Sequence, residues 1–244
     1  MHYAIPKENN FYTRGAFSLV ELIVVIGIIA LLAGIVVPTV EVLREKGKET
    51  ACANNMRQWG SAMGMYLDEK RGVFPTDGVS GDDDPSAWYN VLPQYIGVEP
   101  FYALKAKGKA PCSGMGKSIY ICPSQRIDSE LVAQYTSGTQ TAYDFSYAMN
   151  YWINAPKEID SLSTRMRLTQ VKYSDQFVVF SETKESSSKT VDASSADFRH
   201  RGRVNVVFAD GHVAPVLKRY VNDVQWNPHF EPGQAPAPGA ADGK

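Results

Sequence analysis

His200, Asp210 and His212 are the residues in this chain whose types and spacing first suggest chemistry, because two imidazoles and a carboxylate are what a metal-dependent hydrolase or a metal-binding site uses. They also have a plainer explanation. Asp210-Gly211 separates the β-rich runs Val204 to Ala209 and His212 to Val216, which predicts a hairpin with a tight turn that glycine and aspartate accept. His200 would then pin that hairpin by a hydrogen bond to the turn or to a backbone carbonyl. No nucleophile beside a base, glycine-rich phosphate loop or glutamate-flanked histidine pair appears elsewhere in the chain. Structural pinning is therefore the expected role, with no catalytic residue and no enzymatic activity.

Other groups invite the same question. The loop Thr76 to Pro85 carries Asp77, Asp82, Asp83 and Asp84 and no basic side chain, so hard oxygen ligands suited to calcium gather there. Their spacing matches no calcium loop, so a solvated acidic loop and no cofactor are expected. Arg199, Arg201 and Arg203 would bind an anion or a neighbouring subunit's acidic loop, or else lie solvated in a turn. Cys52, Cys112 and Cys122 are too few for a disulfide scaffold and lack the paired short spacing of a zinc site. In an oxidising compartment Cys112 and Cys122 would close a ten-residue loop and leave Cys52 unpaired on a helix; the alternative is two small buried thiols.

These groups must be held by some framework, and 244 residues that are 44% hydrophobic can bury one substantial core. A formal net charge of -1 gives no basic field, so no nucleic-acid partner is expected. The apolar residues are concentrated: Leu22 to Val37 holds no charged or strongly polar side chain. Extended back to Phe17, the run would span about 31 Å as a helix, against a hydrocarbon core of about 30 Å. Gly27, Ala30, Ala33 and Gly34 give that helix a side suited to close packing. Lys7 and Arg14 precede it, which places the N-terminus in the cytoplasm and everything after Pro38 across the membrane. Small residues, Gly15 and Ala16, stand before the apolar run, where an ordinary secretory signal carries its cleavage site after it. A cut there would keep the span. Glu21, placed at its start, costs a few kcal/mol at full membrane depth unless paired, or else it snorkels to the headgroups.

The segment Gly15-Ala16-Phe17-Ser18-Leu19-Val20-Glu21-Leu22, followed by Ile23 to Val37, resembles the N-terminal signal of type IV prepilins and type II secretion pseudopilins. The resemblance implies that a prepilin peptidase cuts between Ala16 and Phe17 and methylates the new amine of Phe17. Glu21 then becomes the fifth residue of the mature chain and pairs with the Phe17 amine of a neighbouring subunit. The family commonly has glycine before the cut; here Ala16 stands there, with Gly15 one place earlier, so a cut after Gly15 is the lesser alternative. Pro38 falls where the family commonly kinks the helix. His200, nine residues and Asp210-Gly211 resemble the His-x9-Asp-Gly domain found with such N-termini, as do Asn54 to Leu67, Cys122-Pro123-Ser124 and Asp144 to Asn150. Some pseudopilins bind calcium, which keeps that ion in view for the acidic loop. The partners implied are the peptidase, an inner-membrane assembly platform with its ATPase, and other pilin-like subunits.

The expected organisation is a leader over 1–16, a transmembrane helix over 17–38, an amphipathic extension over 39–72, an envelope-side α+β domain over 73–231 containing the 200–211 element, and a disordered tail over 232–244. Met56, Trp59, Met63 and Tyr66 or Leu67 recur at helical spacing and predict the extension's buried face. Gly72 and Pro75 predict its end. Ile119 to Cys122 and Phe177 to Ser181 read as strands, and Glu182 to Asp197 as a surface loop. The whole is expected to be a pilin-like α+β fold, a long helix on a small antiparallel sheet, serving as a structural subunit of a filament. The rival readings are an envelope-anchored binding or metal-dependent enzymatic domain, and a membrane-tethered protein that is never processed.

Overall fold

The computed structural model describes residues 18–78, 81–111, 117–125, 145–154, 165–184 and 189–228. The processing residues Gly15, Ala16 and Phe17, together with Cys112 and the tail 232–244, lie outside the described residues. The chain divides into two compact units, Met1–Arg44 and Glu45–Lys244.

Helix α1 runs over Leu19–Glu69, 51 residues that include Pro38. Its start is capped locally: the Val20 amide donates to Ser18 Oγ at 3.3 Å, and the Ser18 amide donates to Glu21 Oε2 at 3.0 Å. The two bonds satisfy amides that a helix end otherwise leaves bare. Its apolar window has a mean hydropathy of 3.0 with none of it buried, so the chain has one helix long and apolar enough to cross a membrane. At the other end, Gly72 N–H closes on the Leu67 carbonyl at 2.7 Å with Arg71 and Gly72 at positive φ, a Schellman-type stop.

Within the second unit, α1 buries Cys52, Met56, Trp59, Met63, Tyr66 and Leu67, the stripe that helical periodicity selects. Trp59 sits in an aromatic cluster, edge-on to Trp88 at 5.2 Å and beside Tyr120 at 5.2 Å. The stripe packs with one face of a five-stranded sheet: β1 Tyr147–Asn150, β2 Val178–Glu182, β3 Thr190–Val191, β4 Arg203–Phe208 and β5 Val213–Leu217. Strand order is β3-β1-β2-β4-β5. The other face buries Ala148, Val178, Val204, Val206 and Val216 under Val221 and Trp226, so β1 and β2 are buried along their whole length.

The sheet is mixed rather than antiparallel. The β1–β2, β2–β4 and β4–β5 pairs are antiparallel, but β3 runs parallel to β1. The physical reason lies in the order of the strands. After β2 the chain reverses direction, β4 occupies one side of β2 and β1 the other, and the returning residues add to the outer edge of β1. A strand reversed from β2 is necessarily parallel to the strand antiparallel to β2.

Candidate functional site

The most chemically loaded place in the described residues is a buried polar node where four parts of the chain meet. Cys52 comes from α1, and Cys122 from the 117–125 segment. That segment is tied to one face of α1 at three positions. Cys52 is disulfide-bonded to Cys122; Asn55 Nδ2 reaches the Ile121 carbonyl at 3.2 Å and the Tyr147 hydroxyl at 3.2 Å; and Trp59 Nε1 donates to the Ile119 carbonyl at 3.1 Å. Residues 52, 55 and 59 share a face because a helix repeats every 3.6 residues or so.

Glu182, the last residue of β2, is fully buried beside this bond. Its Oε1 lies 2.7 Å from His200 Nε2, and its Oε2 accepts the Asn205 amide at 2.9 Å. Strand register explains the second contact: β2 residue Ser181 faces Val206 of β4, which sets Glu182 next to Asn205. His200 is buried too, with Nε2 3.5 Å from Cys122 Sγ. Its backbone is fixed by a two-residue hairpin turn, in which His200 and Arg203 exchange amide–carbonyl bonds of 3.1 and 3.2 Å and Arg201 and Gly202 both take positive φ. Burial, reinforced by the nearby Glu182 charge, pushes the Tyr147 hydroxyl far above its ordinary pKa, keeping a neutral donor and acceptor in the node.

The expected trio His200, Asp210 and His212 is not assembled. His200 and the Asp210–His212 pair lie at opposite ends of β4. Asp210 Oδ1 accepts the His212 amide at 3.0 Å and contacts His212 Nδ1 at 2.6 Å, both on exposed residues. Among the described residues neither joins a group of three ligands. The Asp210-Gly211 turn itself is as expected: Gly211, at φ +89°, donates to the Phe208 carbonyl at 2.9 Å. His200 pins the fold, but through the Glu182 carboxylate on a neighbouring strand rather than through the turn or a carbonyl.

The disulfide expectation needs correction as well. Cys122 bonds Cys52, not Cys112, across 70 residues of sequence, because α1 lies over the 117–125 segment and sets the two Cα atoms 5.0 Å apart. The acidic loop is not simply solvated. Asp82 pairs with Lys105 at 2.6 Å and with Lys189, while Asp84 accepts from the Ser86 amide, the Ser86 hydroxyl and the Thr76 hydroxyl. Burial opposes ionisation of Asp84, yet those hydrogen bonds outweigh it and hold its carboxyl below the ordinary value. Asp82 and Asp84 so engaged are structural members of the loop. The Arg199 side chain, 7% exposed, bonds Asp197 at 2.8 Å and the Thr183 carbonyl at 2.5 Å, and Arg203 pairs with Glu49 of α1 at 2.9 Å. Of the three arginines, Arg201 alone is fully exposed.

Sequence reasoning missed Cys52, Glu182 and Asn205 as members of a site. Cys52 was findable, since it continues the Met56-Trp59 stripe by one turn. Glu182 gave only the faint signal of a charge closing an apolar strand. No family model, curated protein or solved structure matches the chain.

Proposed function

We propose that this chain is a pilin-like subunit, processed by a prepilin peptidase and assembled into a type II secretion or type IV pilus-like filament. The observation that carries the reading is α1 itself. From Leu19 to Leu43 it exposes apolar side chains almost without interruption, and from Cys52 onward it buries them in a folded core. An uncovered apolar helix of that length is stable only in lipid or against other apolar helices, so it suits a subunit that leaves the bilayer by packing against its neighbours. The Cys52–Cys122 disulfide supports an oxidising, envelope-side location for the second unit, with the N-terminus in the cytoplasm and one pass through the inner membrane.

Glu21 has two roles in this reading. Its bond to the Ser18 amide starts the helix, and in the filament its carboxylate meets the methylated amine of Phe17 on the next subunit. An enzymatic reading built on His200, Asp210 and His212 has lost its site, since these residues stand apart. Mass spectrometry of the chain recovered from membranes tests the proposal: a mature N-terminus at methylated Phe17 is expected. Recovery of intact Met1, or of a chain cut beyond Val37, overturns it.

A further inference from the structure

A disulfide accounts for only part of the node between α1 and β4. Cys52, Cys122, Glu182 and His200 come from four separate parts of the chain, all four are buried, and their ligand atoms lie within 4.8 Å of one another. In the oxidised chain His200 and the Asn205 amide supply the pairing that a buried carboxylate needs. The same carboxylate and imidazole also stand against both sulfurs, so four metal-ligand types meet at one point. We propose that Cys52, Cys122, Glu182 and His200 form a tetrahedral zinc site when the disulfide is reduced, so that disulfide and metal are alternative locks at one position.

Each donor is of a type that zinc binds: two thiolates, an imidazole and a carboxylate. With Zn–S near about 2.3 Å and Zn–N or Zn–O near about 2.0 Å, ligand atoms of a tetrahedron sit roughly 3.3–3.8 Å apart. His200 Nε2 and Cys122 Sγ, at 3.5 Å, already meet that spacing. The Glu182–His200 contact of 2.7 Å has to widen, and the sulfurs have to part, which rotation about the cysteine Cα–Cβ bonds provides from Cα atoms 5.0 Å apart. Support from outside the ligands is in place. The Asn205 amide holds Glu182 Oε2 at 2.9 Å, with Asn205 Nδ2 at 3.4 Å from Oε1, and this fixes the carboxylate's orientation. With Nε2 on the metal, the neutral imidazole carries its proton on Nδ1.

The conversion balances. A dithiol gives two electrons and two protons to the S–S bond, leaving two protein thiols and becoming a disulfide itself. Zn2+ then displaces both thiol protons to solvent and binds the thiolates. Four protein ligands leave no open coordination position, so the site closes the fold and does not activate water. This inference stands independently of the filament reading.

The test uses the full chain in detergent, compared as the oxidised form and after reduction by a dithiol that is removed under nitrogen. The reduced chain is expected to take up one equivalent of Zn2+, and the oxidised chain none. Cobalt in place of zinc is expected to give thiolate-to-cobalt charge transfer and the intense visible bands of a tetrahedral ion. Cys122→Ser removes the stoichiometric uptake, and Asn205→Ala weakens it by about 10–100-fold while leaving all four ligands. The proposal fails if the reduced chain stays folded by circular dichroism without binding an equivalent, or unfolds without being restored by zinc. It also fails if the oxidised chain or Cys122→Ser binds as well as the reduced natural sequence.

Discussion

The two ends of β4 carry the same kinds of side chain and put them to different use. At its start a histidine meets a carboxylate with both side chains out of water, 3% and 0% exposed; past its end a histidine meets a carboxylate with 45% and 37% exposure. The N···O distances are nearly equal, 2.7 and 2.6 Å. Depth therefore separates them. In water the alternative to the pair is hydration, so little is gained; inside the protein the alternative is a bare polar group, so much is lost. In this chain the spacing from His200 to Asp210-Gly211 thus covers two turns with a strand between them. Its histidine secures the interior and its Asp-Gly shapes the surface.

The largest effect is expected where the buried pair is broken. Glu182→Ala leaves His200 Nε2 and the Asn205 amide facing an apolar gap, at a cost of about 2–5 kcal/mol. His200→Ala is expected in the same range, since it strands the carboxylate. Thermal unfolding of the oxidised chain in detergent, followed by the near-ultraviolet signal of the Trp59 and Trp88 cluster, measures both. A loss below about 1 kcal/mol would mean that the node is no more critical than a surface contact.

A smaller effect probes how closely α1 approaches the far end of the hairpin. Gly60 lies against it so tightly that an added Cβ would stand 2.9 Å from Val207 Cγ1 and 3.2 Å from the Gly211 carbonyl oxygen. Gly60→Ala is therefore expected to cost about 1–3 kcal/mol by forcing helix and turn apart, although alanine is the better helix former. A gain in unfolding temperature would show that the exposed turn yields freely, and would sharpen the contrast with the fixed turn at His200.

Local pattern made much of this legible, and long-range pairing hid the rest. The stripe Met56-Trp59-Met63 and the turn at Gly211 are written in short spacings, so periodicity and turn chemistry suffice to find them. The partner of Cys122 depends instead on which surface α1 lies over, 70 residues away. Glu182 acquires its meaning only when β2 aligns with β4 and brings Asn205 and His200 beside it. The parallel β3 edge is likewise decided by which sides of β1 and β2 are already occupied. Glu21 shows the reverse: Ser18-Leu19-Val20-Glu21 has the S-x-x-E form of a capping box, and its place at the head of an apolar span drew attention to the membrane instead.

The smallest effect is expected at His212. Its ring stacks on Phe208 with centroids 4.3 Å apart and planes 9° from parallel, and Nδ1 contacts Asp210. The Asp210 contact is solvent-exposed, the ring lies on the outer side of the buried Phe208, and the turn is closed by main-chain bonds that need neither side chain: Gly211 N–H to the Phe208 carbonyl and Phe208 N–H to the His212 carbonyl, each 2.9 Å. His212→Ala should therefore cost less than about 1 kcal/mol and leave the β4–β5 register unchanged. Measured beside His200→Ala in the same unfolding experiment, it sets an exposed histidine–carboxylate pair against a buried one. Equal losses at the two sites would show that the Asp210 turn carries as much of the fold as the interior pair, and depth would no longer explain the difference between the ends of β4.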